Sequence, residues 1–312
     1  MIYTTGSFSS TSAAVGDFNK DSTSDTVVVS TLSDTLCIVR SSVAMDDFNN
    51  DRQIDIVVAN TGANNVAVLL GHKDGSFTIE ATYRTGLDPY YVAVGDFNRD
   101  SRLDITVANE DNGNIGAIFG YVNCTFRNHA TLRTGDRSRP SSFAIADLNH
   151  DQQKNIIVTN SESNSVGVFL GYGNGSFANQ LTFSSGSYSY PKSVVVGDFN
   201  HDTQLDIVVA NFGRNAISLF LGFGNGSFAS QVTYSTGSYS YPRHVAICDF
   251  NNDLLLDIVV ANYYRNNIGI LLGQGNGTFL ETPHPHPIHL VHEIFVSQNR
   301  ICHLFEVYHP IL

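Results

Sequence analysis

The chain has 312 residues, with 17 Lys plus Arg against 29 Asp plus Glu and a formal net charge of −12. That balance argues against nucleic acid or an anionic membrane surface as a partner, and the lack of any run of about 18 apolar residues argues against a membrane-spanning helix. The N-terminal stretch MIYTTGSFSSTSAAVGDF has neither a basic nor an apolar region of signal-peptide type, so none is read there. Cys37, Cys124, Cys248 and Cys302 fall in unrelated places, without zinc spacing, and read as thiols.

The organising feature is a repeat, Asp-x-Asn-x-Asp-x-x-x-(Asp/Asn), beginning at Asp17, Asp47, Asp96, Asp147, Asp198 and Asp249. The steps between copies are 30, 49, 51, 51 and 51 residues, a period that marks a repeat architecture. Most of the acidity sits here: 17 of the Asp residues belong to the motifs, three in each copy except the fourth, which has two.

Before the first motif, Tyr3-Thr4-Thr5-Gly6-Ser7 matches Tyr234-Ser235-Thr236-Gly237-Ser238, so the chain is expected to open with an outer strand. The first repeat is short. Residues 35–39 match a third strand, yet Val43 already starts the next unit, leaving Arg40-Ser41-Ser42 to span about 10 Å. An imperfect gene model explains this better than a distorted unit. The fifth copy is the cleanest. Lys192–Gly197, Asp206–Asn211, Ala216–Leu221 and a segment through Val232-Thr233-Tyr234 read as four strands, joined by the motif loop, the turn Phe212–Asn215 and Gly224-Asn225-Gly226. The unbroken apolar run at 206–210 predicts a strand covered on both faces. Four antiparallel strands in about fifty residues describe one propeller blade. The expectation is an all-β propeller of about six four-stranded blades over residues 1–280, the first truncated. It is either complete with the N-terminal strand closing the ring, or a fragment of a seven-bladed propeller. Residues 281–312 break the repeat and carry six of the 11 His; His284, His286, His289 and His292 read as tail sequence rather than as a metal cluster.

Within each loop, positions 1, 3, 5 and 9 offer side-chain oxygens, and position 7 a backbone carbonyl. Oxygen-only, carboxylate-rich ligation suits a hard cation, and calcium tolerates irregular geometry better than magnesium. The fourth copy replaces the position-9 Asp with Asn155 and is expected to be the weakest site. The apolar residues at position 2 (Phe18, Phe48, Phe97, Phe199, Phe250) are assigned to packing between blades. Asn123, Asn174, Asn225 and Asn276 head N-glycosylation sequons, but Asn-Gly is also what a tight turn requires.

The segments GDFNRDSRLDITVAN (95–109), GDFNHDTQLDIVVAN (197–211) and CDFNNDLLLDIVVAN (248–262), followed by LGxGNG(S/T)F-like turns, resemble the FG-GAP/VCBS repeats of integrin α-subunit heads and many secreted proteins. The resemblance covers about residues 1–280. It implies up to six calcium sites: Asp17, Asn19, Asp21 and Asp25; Asp47, Asn49, Asp51 and Asp55; Asp96, Asn98, Asp100 and Asp104; Asp147, Asn149, Asp151 and Asn155; Asp198, Asn200, Asp202 and Asp206; and Asp249, Asn251, Asp253 and Asp257. The chain departs from the family at position 6, often Gly there, where Ser22, Arg52, Ser101, Gln152, Thr203 and Leu254 stand. If the loop needs a positive φ, a β-branched Thr203 is unfavourable. The implied function is an extracellular or cell-surface binding or adhesion module, monomeric or part of a larger chain, with a protein or glycan ligand and no catalytic site. A lectin-like reading would use Tyr188, Tyr190, Tyr239 and Tyr241 of the SYSYP segments, for which packing is the competing role. A propeller-based hydrolase is the third alternative.

Overall fold

The computed structural model describes residues 9–16, 25–31, 42–121, 124–281 and 286–287. The chain divides into two compact units, one built on Met1–Pro140 and the other on Ser141–Tyr172 and Phe177–Leu304. In the first unit, β1 (Ser9–Gly16) and β2 (Asp25–Thr31) form an antiparallel pair. They are the described part of the short first repeat. Tyr3–Ser7 and the segment 35–39 lie outside the described residues.

The next two repeats each form a four-stranded meander. One comprises β3 (Val43–Asp46), β4 (Asp55–Asn60), β5 (Asn65–Gly71) and β6 (Phe77–Arg84); the other β7 (Pro89–Gly95), β8 (Asp104–Asn109), β9 (Asn114–Gly120) and β10 (Phe126–Arg133). The second unit holds three more. They are β11 (Pro140–Ala146) to β14 (Leu181–Ser184), β15 (Pro191–Gly197) to β18 (Val232–Ser235), and β19 (Pro242–Cys248) to β22 (Phe279–Glu281). In the last sheet a further short strand, β23 (His286–Pro287), also pairs with β21 (Asn267–Gly273), facing Ile268 and Asn267.

Burial grades along each meander as blade packing requires. The second strands β8, β12 (Asn155–Asn160) and β16 (Asp206–Asn211) are buried at every residue, whereas β14 and β18 are mostly exposed. The expectation for residues 206–210 therefore holds: neighbouring sheets cover both faces. The turn after each second strand contains a left-handed residue, Asn64, Asn164, Asn215 or Asn266, with Gly113 in the third repeat. Asn tolerates this region through local hydrogen bonding. Three of these Asn side chains reach onward as well, accepting from the backbone N–H of Asp88, Tyr190 and Tyr241 at 2.9, 3.0 and 2.9 Å. The turn of one sheet thereby fixes the entry of the chain into the next.

Aromatic edges join the sheets. Phe126 of β10 receives Phe48 and Tyr83 edge-on, with centroids 5.8 and 5.4 Å away. Phe279 receives Phe199 and Tyr234 in the same manner, at 5.6 and 5.2 Å. Phe183 meets Phe228 at 5.2 Å, in one cluster with Leu148. The assignment of the position-2 side chains to packing between blades is thus met at Phe48 and Phe199, with Leu148 serving in the fourth copy; Phe18 lies outside the described residues. The Tyr83 hydroxyl also donates to Cys124 O at 3.4 Å and accepts from Phe126 N–H at 3.2 Å. We expect Phe126→Ala to cost about 3–5 kcal/mol in urea unfolding and Tyr83→Phe only about 1 kcal/mol, since the second keeps the ring contact.

Candidate functional site

The five described motif loops connect the first and second strands of the five four-stranded sheets, and they share one hydrogen-bond plan. The position-1 carboxylate folds the loop back on itself. Its Oδ2 accepts the position-6 N–H: Arg52, Ser101, Gln152, Thr203 and Leu254 donate at 2.7, 2.9, 2.8, 2.9 and 3.1 Å. The position-5 carboxylate accepts the N–H of position 7, from Gln53 at 2.7 Å through Leu255 at 2.9 Å. In the second, fifth and sixth loops a single N–H, that of Asp51, Asp202 or Asp253, is shared by Oδ1 of the position-1 Asp and Oδ1 of the position-3 Asn. Oxygens from two side chains thus meet at one point, and Asn49, Asn200 and Asn251 each donate to the adjacent position-5 carboxylate.

Two residues per loop adopt a positive φ. Position 6 lies at 64–68° in each of the five described copies, and Thr203 is at 68°. Position 4, which sequence reasoning did not single out, is also left-handed, from 57° at His150 to 63° at Asn252. Its signal was weak: only Asn50 and Asn252 are residues that favour this region.

Position 9 takes a role the spacing did not reveal. Asp55, Asp104, Asp206 and Asp257 are fully buried. Each spends both oxygens on backbone amides. Oδ2 accepts from the position-2 N–H (Phe48, Phe97, Phe199, Phe250) at 2.6–2.9 Å. Oδ1 accepts from a glycine sixteen residues on (Gly71, Gly120, Gly222, Gly273) at 2.8–2.9 Å. Those glycines are obligatory for a second reason. A Cβ on any of them would collide with the carbonyl oxygen of Ile54, Leu103, Leu205 or Leu256, the residue just before the carboxylate. Asn155 keeps one of the two bonds, accepting from Leu148 N–H at 2.7 Å, while its buried Nδ2 has no partner.

Burial, and then the crowding by Asp100 and Asp96 or Asp202 and Asp198, raises the Asp104 and Asp206 carboxyls to about 6, against the lowering effect of the two amides. Asp55 and Asp257 shift upward for the same leading reason. In the third loop Arg102 also lies 3.1 Å from Asp100. Among the described residues no three His, Cys, Asp or Glu side chains gather as a metal-ligating group. Asp17, Asn19 and Asp21 lie outside the described residues, and Asp25 is described only as the first residue of β2.

The other predicted features fall elsewhere. Asn174, Asn225 and Asn276 are exposed, and each accepts from the N–H and hydroxyl of the Ser or Thr two residues on. Asp74 does the same with Ser76, so the turn accounts for the pattern; Asn123 lies outside the described residues. Of the SYSYP tyrosines, Tyr241 packs on Phe212 and Tyr264, while Tyr188 and Tyr239 are exposed, and all four have positive φ. Cys124 and Cys248 are thiols, and burial pushes the first up to about 11.

Removing a buried acceptor strands its donors. Asp206→Ala should cost about 2–5 kcal/mol in chemical denaturation, because Phe199 and Gly222 lose their acceptors, while Asp202→Ala at the exposed position 5 should cost less than half as much. The Asp206 carboxyl at about 6 binds its proton more tightly than the unfolded chain at the usual 3.8. Its protonation therefore adds stability that is complete below pH 3.8 and lost as the pH rises through about 6. With chelator present, wild type should gain on Asp206→Asn as the pH is lowered from about 7 to about 4. Thr203→Gly should stabilise by about 1 kcal/mol, through release of a left-handed β-branched residue.

A family model described as FG-GAP-like repeat matches residues 47–107, 147–209 and 202–260, more than half of the chain. Human T-cell immunomodulatory protein is 28% identical over 137 residues, covering 42% of this chain and 22% of that protein, so the chain spans only a minor part of that relative. Among solved structures, a putative 6-phosphogluconolactonase from Bacteroides uniformis superposes with a TM-score of 0.62 at 14% identity, covering 90% of this chain and 83% of that one. Virginiamycin B lyase from Staphylococcus aureus gives 0.56 at 14%, covering 88% and 84%. An Agrocybe aegerita lectin that recognises non-reducing terminal N-acetylglucosamine gives 0.55 at 16%, covering 78% and 65%. Identities this low carry the architecture alone, and that architecture is the β-propeller. The chain belongs to the FG-GAP-like repeat family, its repeats folded as four-stranded propeller blades.

Proposed function

We propose that this propeller binds calcium in its motif loops and serves as a binding or adhesion module outside the cell or at its surface. The observation that carries the reading is the meeting of the position-1 and position-3 oxygens at one N–H beside the position-5 carboxylate. An oxygen that accepts one N–H keeps lone-pair capacity for a cation. Asn149 Oδ1 in the fourth loop is buried with no partner at all. Oxygen-only donors fit calcium. The Asp and Asn at positions 1, 3 and 5 of each loop would hold the ion, with position 9 contributing charge from behind while it pins the backbone. A bound cation would relieve the crowding that adds to burial in raising the position-9 carboxyls, and would stabilise the fold by binding only the folded state. The Asp147 loop, one carboxylate short, would be the weakest.

The ligand of the module is a protein or a glycan. A glycan reading has its own support: Tyr188 and Tyr239 stand exposed at the same place in successive blades, and a lectin shares the fold. We assign the chain no catalytic reaction, because likeness to a lyase and a lactonase at 14% identity transfers only architecture. The extracellular location rests on family likeness and on the preference of open, weak calcium loops for high calcium.

Thermal unfolding with calcium or with chelator tests the first part. At a hundredfold excess of calcium over its dissociation constant, one site should add about 2.7 kcal/mol. Coincident melts together with an ion-free native mass spectrum would remove calcium from the account. A glycan array probed with wild type and with Tyr188→Ala/Tyr239→Ala separates the partner classes: signal lost in the variant supports the glycan, and a blank array leaves the protein ligand. Turnover of an ester, lactone or phosphoester by the purified chain would overturn the non-enzymatic reading.

A further inference from the structure

The end of each blade opposite to its motif loop is built from the turn after the second strand and the connector that brings the chain in from the preceding blade. In the fifth and sixth blades these two segments carry a pair absent from the other described blades: Tyr188 with Arg214 and, 51 residues on, Tyr239 with Arg265. The fourth blade has Arg137 and Ser163 at those places, beside Glu162. Both tyrosine connectors are held in the same way. Ser185 Oγ meets Ser189 Oγ at 2.6 Å and Thr236 Oγ1 meets Ser240 Oγ at 2.7 Å, while Asn164 and Asn215 accept from the N–H of Tyr190 and Tyr241. The arginines are seated too. Arg265 Nε donates to Ser238 O at 3.0 Å, and a Cβ on Gly186 would collide with Arg214 Nη1. Each guanidinium therefore lies against the connector that presents the tyrosine. Phe212 and Tyr241, with centroids 5.0 Å apart, join the turn of the fifth blade to the connector of the sixth, so the two pairs share one surface.

All four connector tyrosines lie at φ 45–58°, a region unfavourable to a bulky side chain. Tyr190 and Tyr241 offset that cost by packing, the first against Gly213 and the second on Phe212 and Tyr264. Tyr188 and Tyr239 do not, being 73% and 64% exposed. Packing therefore gives no reason for a tyrosine at either place. The charge around them is segregated as well. From Ile207 to Cys248 and from Ile258 to Leu280 the chain has no Asp or Glu, so apart from Glu281 the carboxylates of these two blades gather at the motif loops. Arg214 and Arg265 are exposed, and among the described residues no carboxylate pairs with either. Arg243, 5.7 Å over the Tyr263 ring, adds a third guanidinium. In a chain of net charge −12, this end of two adjacent blades is basic.

Building on the glycan reading above, we propose that the two Tyr–Arg pairs form one site for an acidic saccharide, a glycan whose rings carry carboxylate or sulfate groups. Each guanidinium fork would take an anionic group in bidentate fashion. The tyrosine beside it would cover the C–H face of the sugar, whose positive hydrogens suit the negative face of the aromatic ring. Recurrence of the pair in successive blades suits a polymer in which acidic units recur. An acidic peptide offers the guanidinium groups a partner but brings no rigid face to the two exposed rings, whereas a stiff sugar ring meets a connector already fixed by its hydrogen bonds. The site is independent of the motif loops and of calcium.

The test is a calorimetric titration of the full chain, in calcium, with tetrasaccharides of hyaluronan and of chondroitin sulfate, with the neutral tetramer of N-acetylglucosamine, and with tetraglutamate. We expect saturable binding of at least one acidic tetrasaccharide and weaker or no binding of the other two probes. Arg214→Gln/Arg265→Gln should weaken it about tenfold or more. Tyr188→Asn/Tyr239→Asn should do the same while melting no lower than wild type, because Asn tolerates the left-handed backbone; a lower melting temperature would make the rings structural and overturn the site. Undiminished binding by either folded variant would overturn it too, the first excluding the arginines and the second leaving only general attraction between charges. Equal binding of the neutral tetramer would overturn the acidic class and leave the glycan reading intact. Equal binding of tetraglutamate, or no binding of either acidic saccharide, would overturn the site and leave a protein ligand for the module. Should a variant fail to fold, the comparison of probes on wild type decides the matter.

Discussion

In four of the five four-stranded blades a buried position-9 carboxylate is the point on which the blade turns. One side chain at the start of the second strand holds the N–H at the start of the motif loop and the N–H at the end of the third strand. Three segments that are distant in the chain are thereby tied at one carboxylate. Burial of an anion is costly, and it raises the Asp104 and Asp206 carboxyls to about 6. Two charge-assisted bonds of about 1.5–3 kcal/mol each offset it. The glycine that donates the second bond has no room for a side chain against the carbonyl preceding the carboxylate. The first Gly of the LGxGNG turn and the last Asp of the motif are two halves of one joint.

This joint also couples the loop to the core. Position 2 donates its N–H to the carboxylate and turns its ring or aliphatic side chain into the seam between blades, where Phe48 meets Phe126 and Phe199 meets Phe279. A change in loop conformation therefore reaches the packing between blades through a single residue. An ion held at positions 1, 3 and 5, as proposed, would thereby reach the stability of the fold without any change of architecture.

The copies are equivalent in backbone and unequal in chemistry. Asn155 retains half of the joint and leaves its Nδ2 unpartnered. Arg102 supplies the third loop with a cation of its own beside Asp100. A repeat fold relaxes selection on each copy to the extent that its neighbours keep the stack together, which is why differences between blades are informative about function.

By itself the sequence determined what depends on near neighbours in the chain. The period, the strand runs, the Asn-Gly turns and the Asp and Asn at positions 1, 3 and 5 all follow from local sterics and short-range hydrogen bonding. The strand from Asp206 to Asn211 announced its burial because a continuous apolar run needs cover on both faces. The tertiary structure alone decided what depends on groups brought together from afar. The tie between position 9 and a glycine is invisible in the chain, because Gly222 is sixteen residues away from Asp206 in sequence. Tyr239 and Tyr241 stand two residues apart in the chain, yet the first is exposed while the second packs on Phe212 and Tyr264, rings brought to it from other parts of the sequence.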